Sequence, residues 1–185
     1  ATHEQRVCLL VNNEDQRKVY DDMATKQGLQ KQSMQCVSRP TKFINDRSLS
    51  VGTSSWDYTK IPGEDCRADV VLIDEAHLLF TQKVQSGIES HLHEILRRAK
   101  VVVAVFDPEQ IMQRKQWWNP NTLRQLGFGE NGYAADIDSA DSVLTFTGHY
   151  SNAKVNDGKE VIITDSYPVS RINLTCQYRI DASDE

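Results

Sequence analysis

Two apolar runs, each closed by an acidic residue, constrain this chain more than any other feature. Val70-Val71-Leu72-Ile73, in a stretch that opens at Ala68, leads into Asp74, and Val101-Val102-Val103-Ala104-Val105-Phe106 leads into Asp107. A strand that is apolar at successive rather than alternate positions is one covered on both faces, as in a parallel sheet. Between the runs, Val84, Ile88, Leu92, Ile95, Leu96 and Ala99 recur at helical spacing and predict an amphipathic helix over 84–99. Strand, helix, strand in this order implies a right-handed crossover within a mostly parallel α/β sheet with helices on both faces. Ligands of such sheets bind beyond the carboxyl ends of the strands, so Asp74 and Asp107 are expected to face one crevice.

The remainder is read against that frame of strands. Arg6 to Val11 forms another covered strand, ended by Asn12 and Asn13; Glu14 to Gln27 reads as a helix closed by Gly28. Met34 to Ser38 is a further strand, stopped by Arg39-Pro40. Thr41 to Cys66 reads as polar loop with a short strand near Val51-Gly52-Thr53. Residues 108–127 read as a helix in two pieces split at Asn119-Pro120, and 129–160 as a polar insertion of loops and hairpins. Two strands are expected at Val161–Thr164 and Ile172–Cys176. The whole of 1–185 is thus read as one partial domain.

An Asp at a rigid strand end can hold magnesium, a hard cation that keeps most of its waters and takes one or two carboxylates. A Glu next to it can orient and deprotonate an attacking water. The plainer reading of Asp74-Glu75 is a cap on the helix that follows. Val70-Val71-Leu72-Ile73-Asp74-Glu75-Ala76-His77 resembles the Walker B motif of helicase-type ATPases. Val103-Ala104-Val105-Phe106-Asp107-Pro108-Glu109-Gln110 resembles the third motif of superfamily-one helicases, with Phe106 where a Gly is usual. Leu174-Thr175-Cys176-Gln177-Tyr178-Arg179 resembles the leucine–aromatic–arginine motif that follows it.

Together the motifs resemble the family called domain of unknown function 2075, which is related to the helicase region of Schlafen proteins. The resemblance implies a RecA-like P-loop NTPase core that hydrolyses ATP with Mg2+ and acts on nucleic acid. It implies that Asp74 holds the metal, Glu75 activates water, Gln110 senses the γ-phosphate and Arg179 acts as an arginine finger. Asp107 and His77 would then belong to the nucleotide side of the site, His77 coupling its state to a neighbouring element. A G-x-x-x-x-G-K-[ST] loop occurs nowhere in the 185 residues; Gly158-Lys159 is followed by Glu160. The resemblance places that loop upstream of Ala1, on a core truncated at its N-terminus, with a second RecA-like domain among its partners. The 185 residues alone are expected to bind ATP weakly or not at all. The competing reading is a nucleotide-free scaffold or interaction module.

Other signals carry less. The formal charge of −5 gives no overall basic footprint for nucleic acid. Arg97-Arg98 and Arg114-Lys115 read as solvated helix faces, His91 and His93 as solvated helix residues, and Trp117-Trp118 as core or domain-contact residues. Gly127 to Gly132 fits G-x-G-x-x-G but lacks the preceding strand, so Gly127 reads as a helix C-cap. No apolar run is long enough to cross a membrane. Four scattered cysteines without a CxxC pair suggest a reducing, cytoplasmic setting.

Overall fold

The computed structural model describes residues 6–29, 36–52, 55–58, 60, 61, 63, 66–80, 88, 90–107, 110, 117–128, 144–156 and 160–172, with the side chains of 144, 145, 152–156 and 160–164 excepted. These residues belong to two compact units, Ala1–Trp118 and Asn119–Glu185.

The first unit is built on a four-stranded parallel sheet. Its strands are β1 (Val7–Leu10), β2 (Val37–Ser38), β5 (Ala68–Ile73) and β6 (Ala99–Ala104), in the order β2-β1-β5-β6. The α/β character read from the apolar runs is therefore present. Helix α1 (Glu14–Lys26) is capped by the Asn13 side chain, which accepts from the amides of Asp15 and Gln16, and it is followed by Gly28 at φ +67. It packs over one sheet face, where Val11, Ala24 and Val37 form a core patch joined by Leu9, Tyr20 and Cys36. Cys8 lies on the opposite face and its thiol accepts from Arg47, just after α2 (Pro40–Asp46). On the α1 side of the sheet, the register aligns Val7 with Val70 and Val101, and Leu72 with Val103. Val7, Leu72, Val101 and Val103 are 38–53% exposed.

Several expectations are corrected. The segment read as loop contains α2 and an antiparallel hairpin, β3 (Leu49–Gly52) with β4 (Ser55–Asp57). Arg39-Pro40 stops β2 at Ser38 as expected, and Pro40 also opens α2, where its missing N–H costs nothing. The helix expected over 84–99 is shorter: Ser90 is extended (φ −153) and caps α3 (His91–Arg97), while Ala99 starts β6. Residues 84–87 lie outside the described residues. Arg98 is not a solvated residue but fully buried; so are His91 and His93, 1% and 7% exposed.

Arg98 is tolerable inside because every part of its guanidinium is engaged. It pairs with buried Glu94 and donates to the carbonyls of Glu94 (2.9 Å), Arg47 (3.1 Å) and Tyr58 (3.1 Å) and to the Ser48 hydroxyl (2.8 Å). A buried ion that lost these partners would be strongly destabilising. The network ties α3 to the start and the end of the β3–β4 segment.

The second unit contains α4 (Pro120–Gln125) and a long antiparallel hairpin, β7 (Leu144–Asn156) with β8 (Glu160–Ile172). The hairpin character expected before Lys159 is present, while the strand expected over 161–164 is longer, β8 running through 160–172. Residues 129–143 and 173–185, with most of the expected strand Ile172–Cys176, lie outside the described residues. Gly127 follows α4 at φ +85, the left-handed position expected of a residue closing a helix. No helix among the described residues is long and apolar enough to cross a membrane.

Candidate functional site

The site forms where β5 and β6 end. Both ladders of β5 continue past its end: toward β1, Asp74 N–H donates to Leu10 O (3.0 Å), and toward β6, Val105 N–H donates to Ile73 O (3.0 Å). Ala76 N–H then donates to Val105 O at 2.7 Å. Asp74 is thereby held from β1, and the chain after it is held from the β6 side. Both Asp74 and Asp107 follow the carboxyl ends of neighbouring parallel strands.

Glu75 sits on this edge in a left-handed backbone conformation, φ 52 and ψ 55, the one non-glycine residue with positive φ among those described. For an L-residue that conformation costs about 1–2 kcal/mol, because Cβ crowds the following carbonyl. It breaks the strand direction and begins the short 3-10 turn Ala76–Leu78. Strain of this kind concentrates where surrounding structure holds a residue for a purpose.

Around Asp74 the chemistry is acidic and hydroxylic. The Tyr20 hydroxyl, from α1, donates to Asp74 Oδ2 at 3.2 Å. The negative charge of Asp74, then burial, raises the Tyr20 pKa, so the phenol stays a donor at neutral pH. On the β6 side, Gln110 Nε2 donates to Asp107 Oδ2 at 2.6 Å, and its backbone N–H to Asp107 O at 3.3 Å. The third-motif pair is thus joined within its own loop, in spite of Phe106 at the position where glycine is usual.

His77 lies beneath this edge rather than on it, 3% exposed. Its ring meets the Phe106 ring edge-on (centroids 6.4 Å apart), and Phe106 in turn meets Trp118 at 4.7 Å. The Trp118 indole donates to His77 O at 3.4 Å. Trp118 is a core residue, as read, whereas Trp117 is exposed. Arg179 lies outside the described residues. Sequence reasoning missed Tyr20 and the Phe106–Trp118 pair. Tyr20 was legible only as a residue with an apolar ring and a polar tip, which buried positions prefer to partner.

The Asp74 carboxylate keeps acceptor positions beyond the one that Tyr20 takes. A carboxylate offers about four lone-pair sites, of which one hydroxyl takes one. No trio of His, Cys, Asp or Glu forms a metal cage among the described residues. Magnesium needs no such cage, since it keeps several waters and accepts one or two carboxylates.

Asp74 and Asp107 follow neighbouring strands of a parallel α/β sheet, and comparison with known proteins gives the family. The chain matches the family described as Schlafen group 3, DNA/RNA helicase domain, over residues 1–185, and it belongs to that family. It is also 34% identical over 86 residues to uncharacterized protein YPL245W of Saccharomyces cerevisiae; the match covers 45% of this chain and 18% of the yeast protein. No solved structure matches.

Proposed function

We propose that this domain is part of an ATP-hydrolysing, helicase-like motor or switch that acts on nucleic acid, built on a RecA-like P-loop core. The observation that carries the reading is Glu75, held left-handed directly after Asp74 at the carboxyl edge of β5. The left-handed turn opens the 3-10 segment Ala76–Leu78, and Glu75 makes no side-chain cap hydrogen bond there, which leaves its carboxylate to other chemistry. In a hydrolase it turns the Glu75 carboxylate away from the strand line, as a residue that activates water needs. Asp74 would hold Mg2+, and the ion, when bound, would neutralise charge on the transferring phosphoryl group. Asp107 and Gln110 contact the nucleotide side, and Arg179 supplies a guanidinium to the transition state. Family membership supports the nucleic-acid part of the reading.

The nucleotide-free scaffold retains one specific support, the lack of G-x-x-x-x-G-K-[ST] within these 185 residues. One substitution separates the two. In the full-length protein, Glu75→Gln keeps the side-chain shape and removes the base, so hydrolysis falls by about 10²-fold or more while ATP binding persists. Steady-state ATPase rates and equilibrium nucleotide binding measure both quantities. Hydrolysis close to wild type would return Asp74-Glu75 to the role of a helix cap.

A further inference from the structure

Near this edge a hydrogen bond joins two elements distant in sequence. Tyr20 belongs to the second half of α1, and its ring packs against the patch of Val11, Ala24 and Val37. The ring position is therefore set by the apolar core, and only the hydroxyl reaches the end of β5, 3.2 Å from Asp74 Oδ2. An ionised carboxylate can only accept, so the phenol is the donor.

We propose that Tyr20 is a positioning residue for Asp74: its hydroxyl, carried on a ring the core holds still, selects the carboxylate rotamer that receives a divalent cation or the cation's water. The inference rests on the metal role of Asp74 given above and adds a residue from α1 to that site. A short Asp side chain has about three staggered positions about its first torsion. With the hydroxyl present one of them is favoured. Without it the competent rotamer is one of about three, and apparent metal affinity falls by that fraction, about threefold. At 3.2 Å the bond is long for a hydroxyl donor, so it orients the carboxylate while leaving its charge available. The arrangement also joins α1 to the acidic edge, so displacement of α1 would release Asp74.

The test uses the full-length protein and Mn2+ as the probe, with free Mn2+ read by electron paramagnetic resonance in the presence of a non-hydrolysable ATP analogue. Tyr20→Phe keeps the ring and its packing. It is expected to weaken Mn2+ affinity about threefold, with metal-free nucleotide affinity and melting temperature unchanged. Asp74→Ala, measured alongside, is expected to lose far more Mn2+ affinity. Unchanged or tighter Mn2+ binding by Tyr20→Phe, beside a clear loss in Asp74→Ala, would overturn the role of Tyr20 and leave Asp74 as a ligand. A parallel loss of metal-free nucleotide affinity in Tyr20→Phe would also overturn it, because that marks a general structural role. If Asp74→Ala binds Mn2+ as wild type does, the metal assignment itself fails.

Discussion

The sheet of residues 6–118 and the ribbon of residues 119–172 hold their strands together in opposite ways. In the sheet, every neighbour comes from far along the chain: β1 lies between β2 and β5, and β5 pairs with β6 across α3. In the ribbon, β7 pairs only with β8, from Leu144↔Ile172 up to Asn156↔Glu160 across the connection 157–159. The ribbon is fixed at its base. Ser151 N–H donates to Gln125 Oε1 (2.8 Å), and Arg171 donates to Gly127 O (2.7 Å) while lying over the Phe128 ring. Near that base Tyr150 is 5% exposed, and burial pushes its phenol up to about 12. A site that needs acids from separate segments can form only where such segments converge. The sheet provides that convergence, whereas a two-stranded ribbon brings together only residues opposed along its own length.

This contrast can be broken or sharpened by experiment, and acid is expected to have the largest effect. His91 lies in the core of the sheet unit, where burial lowers its pKa from 6.5 to about 4. Phe80 N–H donates to its Nδ1 (3.3 Å), so the neutral ring carries its proton on Nε2, next to the Thr41 hydroxyl. Protonating Nδ1 would break the Phe80 bond. The unfolded chain takes up this proton near pH 6.5, while the folded chain resists until about pH 4. Stability is therefore complete above 6.5 and falls as pH drops between those values, by about 3 kcal/mol in all. Hydrogen exchange should show β5 losing protection over this range, and His91→Gln should flatten the dependence. Protection of β5 that does not change with pH would contradict a dry environment for the imidazole.

Next in size is a substitution confined to the ribbon. A Cβ on Gly127 would lie 2.4 Å from Phe146 Cγ, and φ is +85 there. Gly127→Ala is expected to cost about 2 kcal/mol through overpacking and backbone strain. Exchange in β7 should accelerate while exchange in β5 stays as it was. Equal effects in both strands would erase the distinction between the two regions.

The smallest expected effect has the opposite sign. Glu75→Gly relieves the left-handed strain and is expected to stabilise the sheet unit by about 1 kcal/mol, less than the full strain because glycine also gains freedom when unfolded. Thermal unfolding measures the change. A lower melting temperature would mean that the Glu75 side chain contributes packing that outweighs the strain. A rise, together with lost hydrolysis, would make this residue one that trades stability for chemistry.

What could be read in the sequence follows the same division. Strands β1, β5 and β6 announce themselves because they are apolar at consecutive positions, although Val7, Leu72, Val101 and Val103 leave one face half exposed among the described residues. Helix α1 does so through Asn13 and Gly28 at its ends. The acids at the strand ends follow from topology, and so their common edge was legible before any coordinates. The ribbon was legible only as loops and hairpins: β7 alternates apolar and polar residues from Leu144 to Ser151, but Gly148 interrupts the apolar series and the bulge near Asn152 and Ala153 shifts the register. Arg98, His91 and His93 were misread for a different reason. A charged or titratable side chain on a helix is usually solvated, and only the convergence of Glu94, Ser48, Arg47 and Tyr58 allows Arg98 to be buried. The left-handed turn at Glu75 has no sequence signal, since glycine is what such a position normally selects. Tyr20 is similar, because a helix shows which residues face inward but not which atom on another element they reach.

The bare side of the sheet has a consequence for handling. Among the described strands β6 has a neighbour on one side only, and Lys100 is its one charged residue. Val101 and Val103 are each about half exposed, at 53% and 51%. Edge strands that remain monomeric are usually blunted by charge, proline or a bulge, and β6 has little of any of these. For residues 1–185 produced alone, self-association along β6 is the expected colloidal hazard, and low ionic strength, which lets the net charge of −5 repel, is expected to oppose it.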